Sequence, residues 1–108
     1  MQINISARHG DLSEATKEKI TQKIEKIQRY FERMTAIDVT VDLSKADEPG
    51  VEVIVKSEHK HDFVADVRAE RSGDLFGAVD QVIAKLEQQI RKHKEKLQDH
   101  GKNPPAGV

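Results

Sequence analysis

The chain has 108 residues, which suits one domain with one modest core and leaves no room for a second. With 36% hydrophobic and 34% charged residues it is too apolar for wholesale disorder, and no apolar run is long enough to cross a bilayer. Cysteine is absent, which excludes disulfides, thiolate ligands and cysteine nucleophiles, and the formal net charge of -1 at first sight argues against nucleic acid.

The opening residues Met1-Gln2-Ile3-Asn4-Ile5 lack the basic start and apolar block of an export signal, so a cytoplasmic location is expected. Residues 2–7 alternate, with Ile3, Ile5 and Ala7 on one side, and read as a first strand. Ser13 is a candidate N-cap, Glu14 suits the first turn, and the chain then runs to about Arg33 without Gly or Pro. Ile20, Ile24, Ile27 and Phe31 recur at helical spacing and predict one buried stripe.

From Ile37 the period changes to two. Ile37, Val39, Val41 and Leu43 face one way, and Asp38, Thr40 and Asp42 the other. Ala46-Asp47-Glu48-Pro49-Gly50 supplies a turn, and Val51, Val53 and Val55 continue the alternation in a third strand. A polar link, Glu58-His59-Lys60-His61-Asp62, leads to a fourth strand over 63–69. Such short connections predict an antiparallel meander with one face covered.

Asp74 is the candidate cap of a long second helix whose stripe is Leu75, Val79, Val82, Leu86, Ile90, His93 and Leu97, ending near His100-Gly101. Gly77 in its first turns costs about 1 kcal/mol relative to Ala if exposed, which hints at a close approach. The expected order is β-α-β-β-β-α: an α/β (α+β) two-layer sandwich, a four-stranded sheet with two helices on one face. Residues 1–100 form the domain and 101–108 a disordered tail.

The distribution of charge overturns its average. Residues 35–82 carry five basic and eleven acidic groups, a net of -6. Residues 13–33 carry six basic against four acidic, and residues 84–98 five against two, nets of +2 and +3. Acid sits mainly on the meander, and base on the helices.

On the first helix, at about 100° per residue, Lys19, Lys23, Lys26 and Arg33 fall on one flank of the apolar stripe, and Glu14, Glu18, Glu25 and Glu32 on the other. On the second helix Lys85, Lys92 and Lys96 share a flank with the donors Gln81, Gln88 and Gln89. Asp80 and Glu87 lie opposite, with Lys94 on their side, and Arg91 points away from the core. Were the two basic flanks to face each other, they would make one positive strip about 25 Å long, able to engage several phosphates. Lysine stripes without exposed rings suit folded or double-stranded RNA, which is read through shape, phosphate and 2′-hydroxyl, better than base-specific recognition. The only Phe and Tyr residues are Tyr30, Phe31, Phe63 and Phe76, too few for a stacking surface. A partner protein, or plainly solvated helix surface, accounts for the same charges less specifically.

Catalytic patterns are missing. No Gly-x-Ser-x-Gly elbow, phosphate loop or dinucleotide glycine pattern occurs, so no enzyme and no cofactor are expected. His59 and His61 beside Glu58 and Asp62 lack a third fixed ligand, and His93 reads as a core-edge histidine, so no metal site is expected.

The final helix, from Asp74-Leu75-Phe76-Gly77-Ala78-Val79-Asp80 through Lys85-Leu86-Glu87-Gln88-Gln89-Ile90 to Lys92-His93-Lys94-Glu95-Lys96-Leu97, resembles the ribosome hibernation promoting factor and ribosome-associated inhibitor family, also called the sigma-54 modulation protein family. Met1-Gln2-Ile3-Asn4-Ile5 and Ile27-Gln28-Arg29-Tyr30-Phe31 are similar to the same family, and the likeness spans essentially residues 1–98. It implies a double-stranded-RNA-binding-domain-like fold and a ribosome-binding domain that sits on the 30S subunit near the decoding centre. There it would contact 16S rRNA and neighbouring proteins and block mRNA and A-site and P-site tRNA.

By that resemblance Lys23, Lys26, Arg29, Lys85, Lys92, Lys94 and Lys96 face ribosomal RNA. With the charge pattern, the expected RNA-binding residues are Lys19, Lys23, Lys26, Arg29, Arg33, Lys85, Gln88, Arg91, Lys92, Lys94 and Lys96. Gln88 stands where close family members often have arginine, with Arg91 a partial replacement, and Leu75-Phe76 stands for the usual Met-Tyr. The chain resembles a short form, without the C-terminal domain of the long forms or the acidic tail of the inhibitor subtype. The resemblance leaves open whether the outcome is ribosome dimers, made with a helper factor, or silenced single ribosomes. The free protein is expected to be a monomer with no membrane partner. The alternative reading is a protein-binding regulator using the acidic sheet face, Asp38, Asp42, Glu52 and Asp66, without ribosome binding.

Overall fold

Alternating burial builds the sheet. In the computed structural model, which describes residues 2–29, 34–45, 47–58, 62–69 and 74–102 with side chains as far as Lys94, the strands are β1 (Gln2–Arg8), β2 (Met34–Asp42), β3 (Gly50–Ser57) and β4 (Phe63–Arg68). The helices are α1 (Glu14–Ile24) and α2 (Leu75–Lys102). Ile37, Val39 and Val41 of β2, Val51, Val53 and Val55 of β3, and Phe63 and Ala65 of β4 are buried. Their sequence neighbours point to the other face, as the two-residue strand period requires.

The sheet order is β1-β2-β3-β4. The meander β2-β3-β4 is antiparallel, as its short connections require. β1 pairs parallel to β2, which needs a crossover, and α1 supplies it. Ile20 and Ile24 of α1 and Val79, Val82, Leu86 and Ile90 of α2 close one core with the sheet residues. α1 packs on β1, and α2 on β3 and β4, giving the expected two-layer α+β arrangement.

Both helices start at the expected caps. The Ser13 hydroxyl accepts from the Thr16 amide at 3.1 Å, and the Asp74 carboxylate accepts from the Phe76 amide at 3.2 Å. The end of the first helix differs from expectation. α1 stops at Ile24 and continues as a five-residue 3₁₀ segment, Glu25–Arg29, while residues 30–33, with Tyr30, Phe31 and Arg33, lie outside the described residues. In a 3₁₀ turn residues three apart eclipse, so Ile27 stays on the face of Ile24 and is fully buried.

β2 begins at Met34, three residues before the expected start. Met34 and Ile37 are both buried although they are three positions apart, an odd step that strict alternation would place on opposite faces. A register shift between Met34 and Ala36 reconciles this, since one extra residue restores the alternation. α2 runs through Gly101 to Lys102, so the first two residues of the expected tail are helical, and the remaining tail lies outside the described residues. At Gly77 a Cβ would meet, among the described residues, only Asp74 at 3.7 Å, an ordinary contact rather than a close approach.

One glycine does have a packing reason. Asp42, Gly50 and Arg68 are register neighbours across β2, β3 and β4. With no side chain at Gly50, Arg68 lies across it, where a Cβ would stand 3.1 Å from Nη2. Nη2 reaches the Asp42 carboxylate at 2.8 Å, and Nη1 donates to the Glu48 carbonyl at 2.8 Å.

The Ser44 amide, donating to Asp42 at 2.9 Å, and then Arg68 hold the Asp42 carboxyl down from 3.8 to about 2. A depressed carboxylate stabilises the fold above its unfolded pKa, and that contribution is lost as pH falls through the folded value. Asp42→Asn is therefore expected to lower the urea midpoint near neutral pH, and its deficit to close as pH falls from 3.8 to about 2. A deficit that stays constant across that window would show that Asp42 is not the titrating group.

Candidate nucleic-acid interface

Two contacts between the helices set the geometry of the basic groups. Lys19 Nζ sits 4.2 Å from the centre of the Phe76 ring, and Lys23 Nζ is 2.8 Å from Asp80 Oδ1. Each step advances four residues on both helices, so α1 and α2 run parallel. The basic flank of α1 thereby meets the flank of α2 that carries Asp80.

The basic flank of α2 turns the other way, over the outer edge of the sheet. Lys85 Nζ donates to the Asp66 carbonyl at 3.2 Å, and Gln89 Nε2 to the Val64 carbonyl at 2.9 Å, both on edge strand β4. These bonds occupy backbone acceptors that would otherwise be open to another strand. The single strip made of two facing basic flanks is therefore not formed. Parallel helices present flanks of the same sense to the same side, so a basic flank on one meets the acidic flank of the other.

The basic groups left free are concentrated further along the helices. Lys26 and Arg29 lie in the 3₁₀ segment beyond Lys23, where they line a surface hollow with Gln22, Glu25 and Gln28. The 3₁₀ segment packs against α2, and in the same direction α2 exposes Arg91, Lys92 and Lys94. None of these five cations forms an ion pair with a described residue. Gln88 is exposed one helical turn before Lys92, and Lys96 continues α2 with its side chain outside the described residues. Arg33 also lies outside them.

The expected residues thus fall into two sets. Lys26 and Arg29 lie in the last turn of the 3₁₀ segment, where the helix dipole also favours cations, and Arg91, Lys92 and Lys94 lie in the second half of α2. Lys19, Lys23 and Lys85 already have internal partners. Each retains further ammonium donors for an outside ligand. Phe76 and Gln89 were not anticipated in these roles: Phe76 as the ring under Lys19, and Gln89 as a cover for the β4 edge. His93 is half-buried, and its ring meets Phe63 edge-on at 5.4 Å, the expected core-edge position. His59, Lys60 and His61 lie outside the described residues. Among the described residues no helix is long and apolar enough to cross a membrane.

The profile of the Sigma 54 modulation protein / S30EA ribosomal protein family matches residues 3–98. The chain belongs to that family. Ribosome hibernation promoting factor of Escherichia coli is 31% identical over 101 residues, covering 93% of this chain and all 100% of the relative. The protein of the same name from Pseudomonas putida is 27% identical over 106 residues, 91% of each chain.

A ribosomal subunit interface protein from Coxiella burnetii has the same fold, with a TM-score of 0.76 at 25% identity over 88% of this chain and 99% of the other. The N-terminal domain of Thermus thermophilus Protein Y superposes with a TM-score of 0.67 at 21% identity, over 86% of this chain and 99% of the other, which supports the fold alone. The family assignment therefore agrees with the resemblance in the final helix.

The Lys23 side chain is mostly covered, but the Asp80 carboxylate is largely exposed, so solvent reaches their ion pair and screens it. A double-mutant cycle between Lys23→Ala and Asp80→Ala, followed by urea unfolding, is expected to give a coupling of about 0.5 kcal/mol that shrinks in high salt. A coupling of several kcal/mol would mean that the pair holds the helices together.

Proposed function

We propose that this chain is a ribosome hibernation factor that seats its helix layer on 16S rRNA of the small ribosomal subunit near the decoding centre. There it silences translation by occupying the path of mRNA and of A-site and P-site tRNA. The observation that carries this reading is the set of exposed cations on the later parts of two parallel helical segments, Lys26 and Arg29 on one and Arg91, Lys92 and Lys94 on the other, free of ion pairs with described residues. It is supported by family membership and by relatives named ribosome hibernation promoting factor.

The mechanism needs no bond to be made or broken. Lysine and arginine displace counterions condensed on phosphate, and the released ions supply a large, salt-dependent part of the binding free energy. The rings that would read single-stranded bases are scarce, so shape and backbone are what such a surface can recognise. A rigid two-layer domain bound in this way inhibits by exclusion. A helper factor for ribosome dimerisation is compatible with this placement, as is action on single ribosomes.

Reversing Lys26, Arg29, Lys92 and Lys94 to Glu is expected to abolish co-sedimentation with 30S subunits while the circular dichroism spectrum is unchanged. Partial reversals should flatten the log–log salt dependence by roughly 0.7–0.9 for each phosphate that is no longer neutralised. Lys19→Gln and Lys85→Gln, at positions already partnered within the fold, should change affinity by less than about threefold. Undiminished 30S binding by the quadruple variant would sink the proposal.

Asp80 competes with phosphate for Lys23. Asp80→Asn is therefore expected to tighten 30S binding and steepen the salt dependence by roughly 0.7–0.9. Filter binding between about 50 and 200 mM salt measures both. An unchanged slope would place Lys23 away from RNA.

A further inference from the structure

We propose that the face of the sheet away from the helices is a docking surface for a basic protein segment that carries one apolar side chain. Four side chains at its centre carry the argument. Ile54 and Val64 are register partners on β3 and β4, and two residues along the same strands Glu52 and Asp66 are partners in the same way. Strand geometry sets these residues in a rectangle about 5 Å by 7 Å.

Val64 is the exposed large hydrophobic residue of the described chain, at 49% of its full accessibility, and Ile54 beside it is only half-buried. Glu52 and Asp66 are like charges directly opposite each other, an arrangement that destabilises a sheet in the absence of a cation. The other carboxylates of this face are already matched. Asp38 takes the Lys56 ammonium at 3.3 Å and the Asn4 amide at 2.9 Å, and Asp42 takes Arg68 at 2.8 Å. Glu52 and Asp66 have no side-chain partner among the described residues. An apolar step with a doubly negative step beside it fits a ligand that is apolar at one position and cationic about 7 Å away, the spacing of residues i and i+2 in an extended chain.

Charge complementarity selects the partner class. Phosphate is repelled from the Glu52/Asp66 pair, so the occupant is a lysine- or arginine-bearing protein segment and not RNA. The edge of β4 is covered by Lys85 and Gln89, so the segment lies on the face and does not extend the sheet. Neither point depends on what the helices bind.

The test uses the isotope-labelled full chain and a synthetic peptide, acetyl-Ser-Leu-Ser-Lys-Ser-amide, followed by amide chemical shifts. Shifts centred on residues 52, 54, 64 and 66 are expected. Binding should weaken at least fivefold with Glu52→Gln/Asp66→Gln, and likewise with Val64→Ser, and it should vanish when Glu replaces the peptide Lys. Because all three positions face solvent at least in part, an unchanged spectrum elsewhere certifies the fold of each variant. Shifts confined to the helices, unaltered binding by both variants, or the same sheet residues moving on addition of a uridine oligonucleotide would each overturn the proposal. Sedimentation with 30S subunits reports on the helix layer separately, so failure here and failure there are distinguishable.

Discussion

Because β1 pairs parallel to β2, and the next two connections reverse the chain twice, β4 runs in the direction of β1. α1 follows β1 and α2 follows β4, and both pack on the same layer. Two helices that follow parallel strands back across one face must themselves run parallel, and the paired steps Lys19 to Lys23 and Phe76 to Asp80 show that they do. This one constraint decides where the basic flanks of the two helices can go. The lysine flank of α1 is turned inward towards α2, that of α2 outward over β4, and the free cations are left towards the far end.

The forces involved differ in size, and the difference separates folding from binding. The fold rests on burial of Ile20, Ile24, Ile27, Leu86, Ile90 and the valines of β2 and β3, each contributing roughly 1.5–3 kcal/mol when fully buried. Surface pairs such as Lys23–Asp80 contribute under about 1 kcal/mol and are screened by salt. Charges on the helices can therefore be redistributed at little cost to stability. Asp80 engages Lys23 with small consequences for the fold.

Most of the fold was legible because periodicity reports directly on burial. The two-residue alternation of Ile37, Val39 and Val41 and the helical recurrence of Ile20, Ile24 and Ile27 each predict the face that is buried. Ser13 and Asp74 were legible as caps, since few residue types accept a bond from a helix amide. The 3₁₀ segment was not, because Ile27 continues the same stripe whether the turn is 3.0 or 3.6 residues. The bulge at Met34 was hidden for a similar reason: one extra residue breaks the alternation and so conceals the start of β2. On the helices, the flank that each basic residue occupies was legible and the juxtaposition of the flanks was not. Helical angles place each lysine on its own helix, but which flanks meet depends on relative helix direction, and that follows from the parallel pairing of β1, which no local pattern encodes.

The near-neutral net charge acquires a physical sense in this arrangement. A uniformly basic domain of this size would associate with RNA in many orientations, held by the non-specific phosphate term. Here the helix layer carries most of the cations that lack an ion pair among the described residues, Arg8 on β1 being an exception, while the central sheet carboxylates Glu52 and Asp66 face the other way. An approaching phosphate backbone is attracted by one layer and repelled at the centre of the other, which orients the encounter before any short-range contact forms. The neutral donor Gln88 attracts phosphate less than a cation would, and Asp80 lowers the attraction further by engaging Lys23. Both features weaken the sequence-independent phosphate term and leave shape complementarity untouched. On the proposed reading, binding would then rest more heavily on the fit of the helix layer to one folded RNA surface, which is what occlusion without coating RNA at large requires.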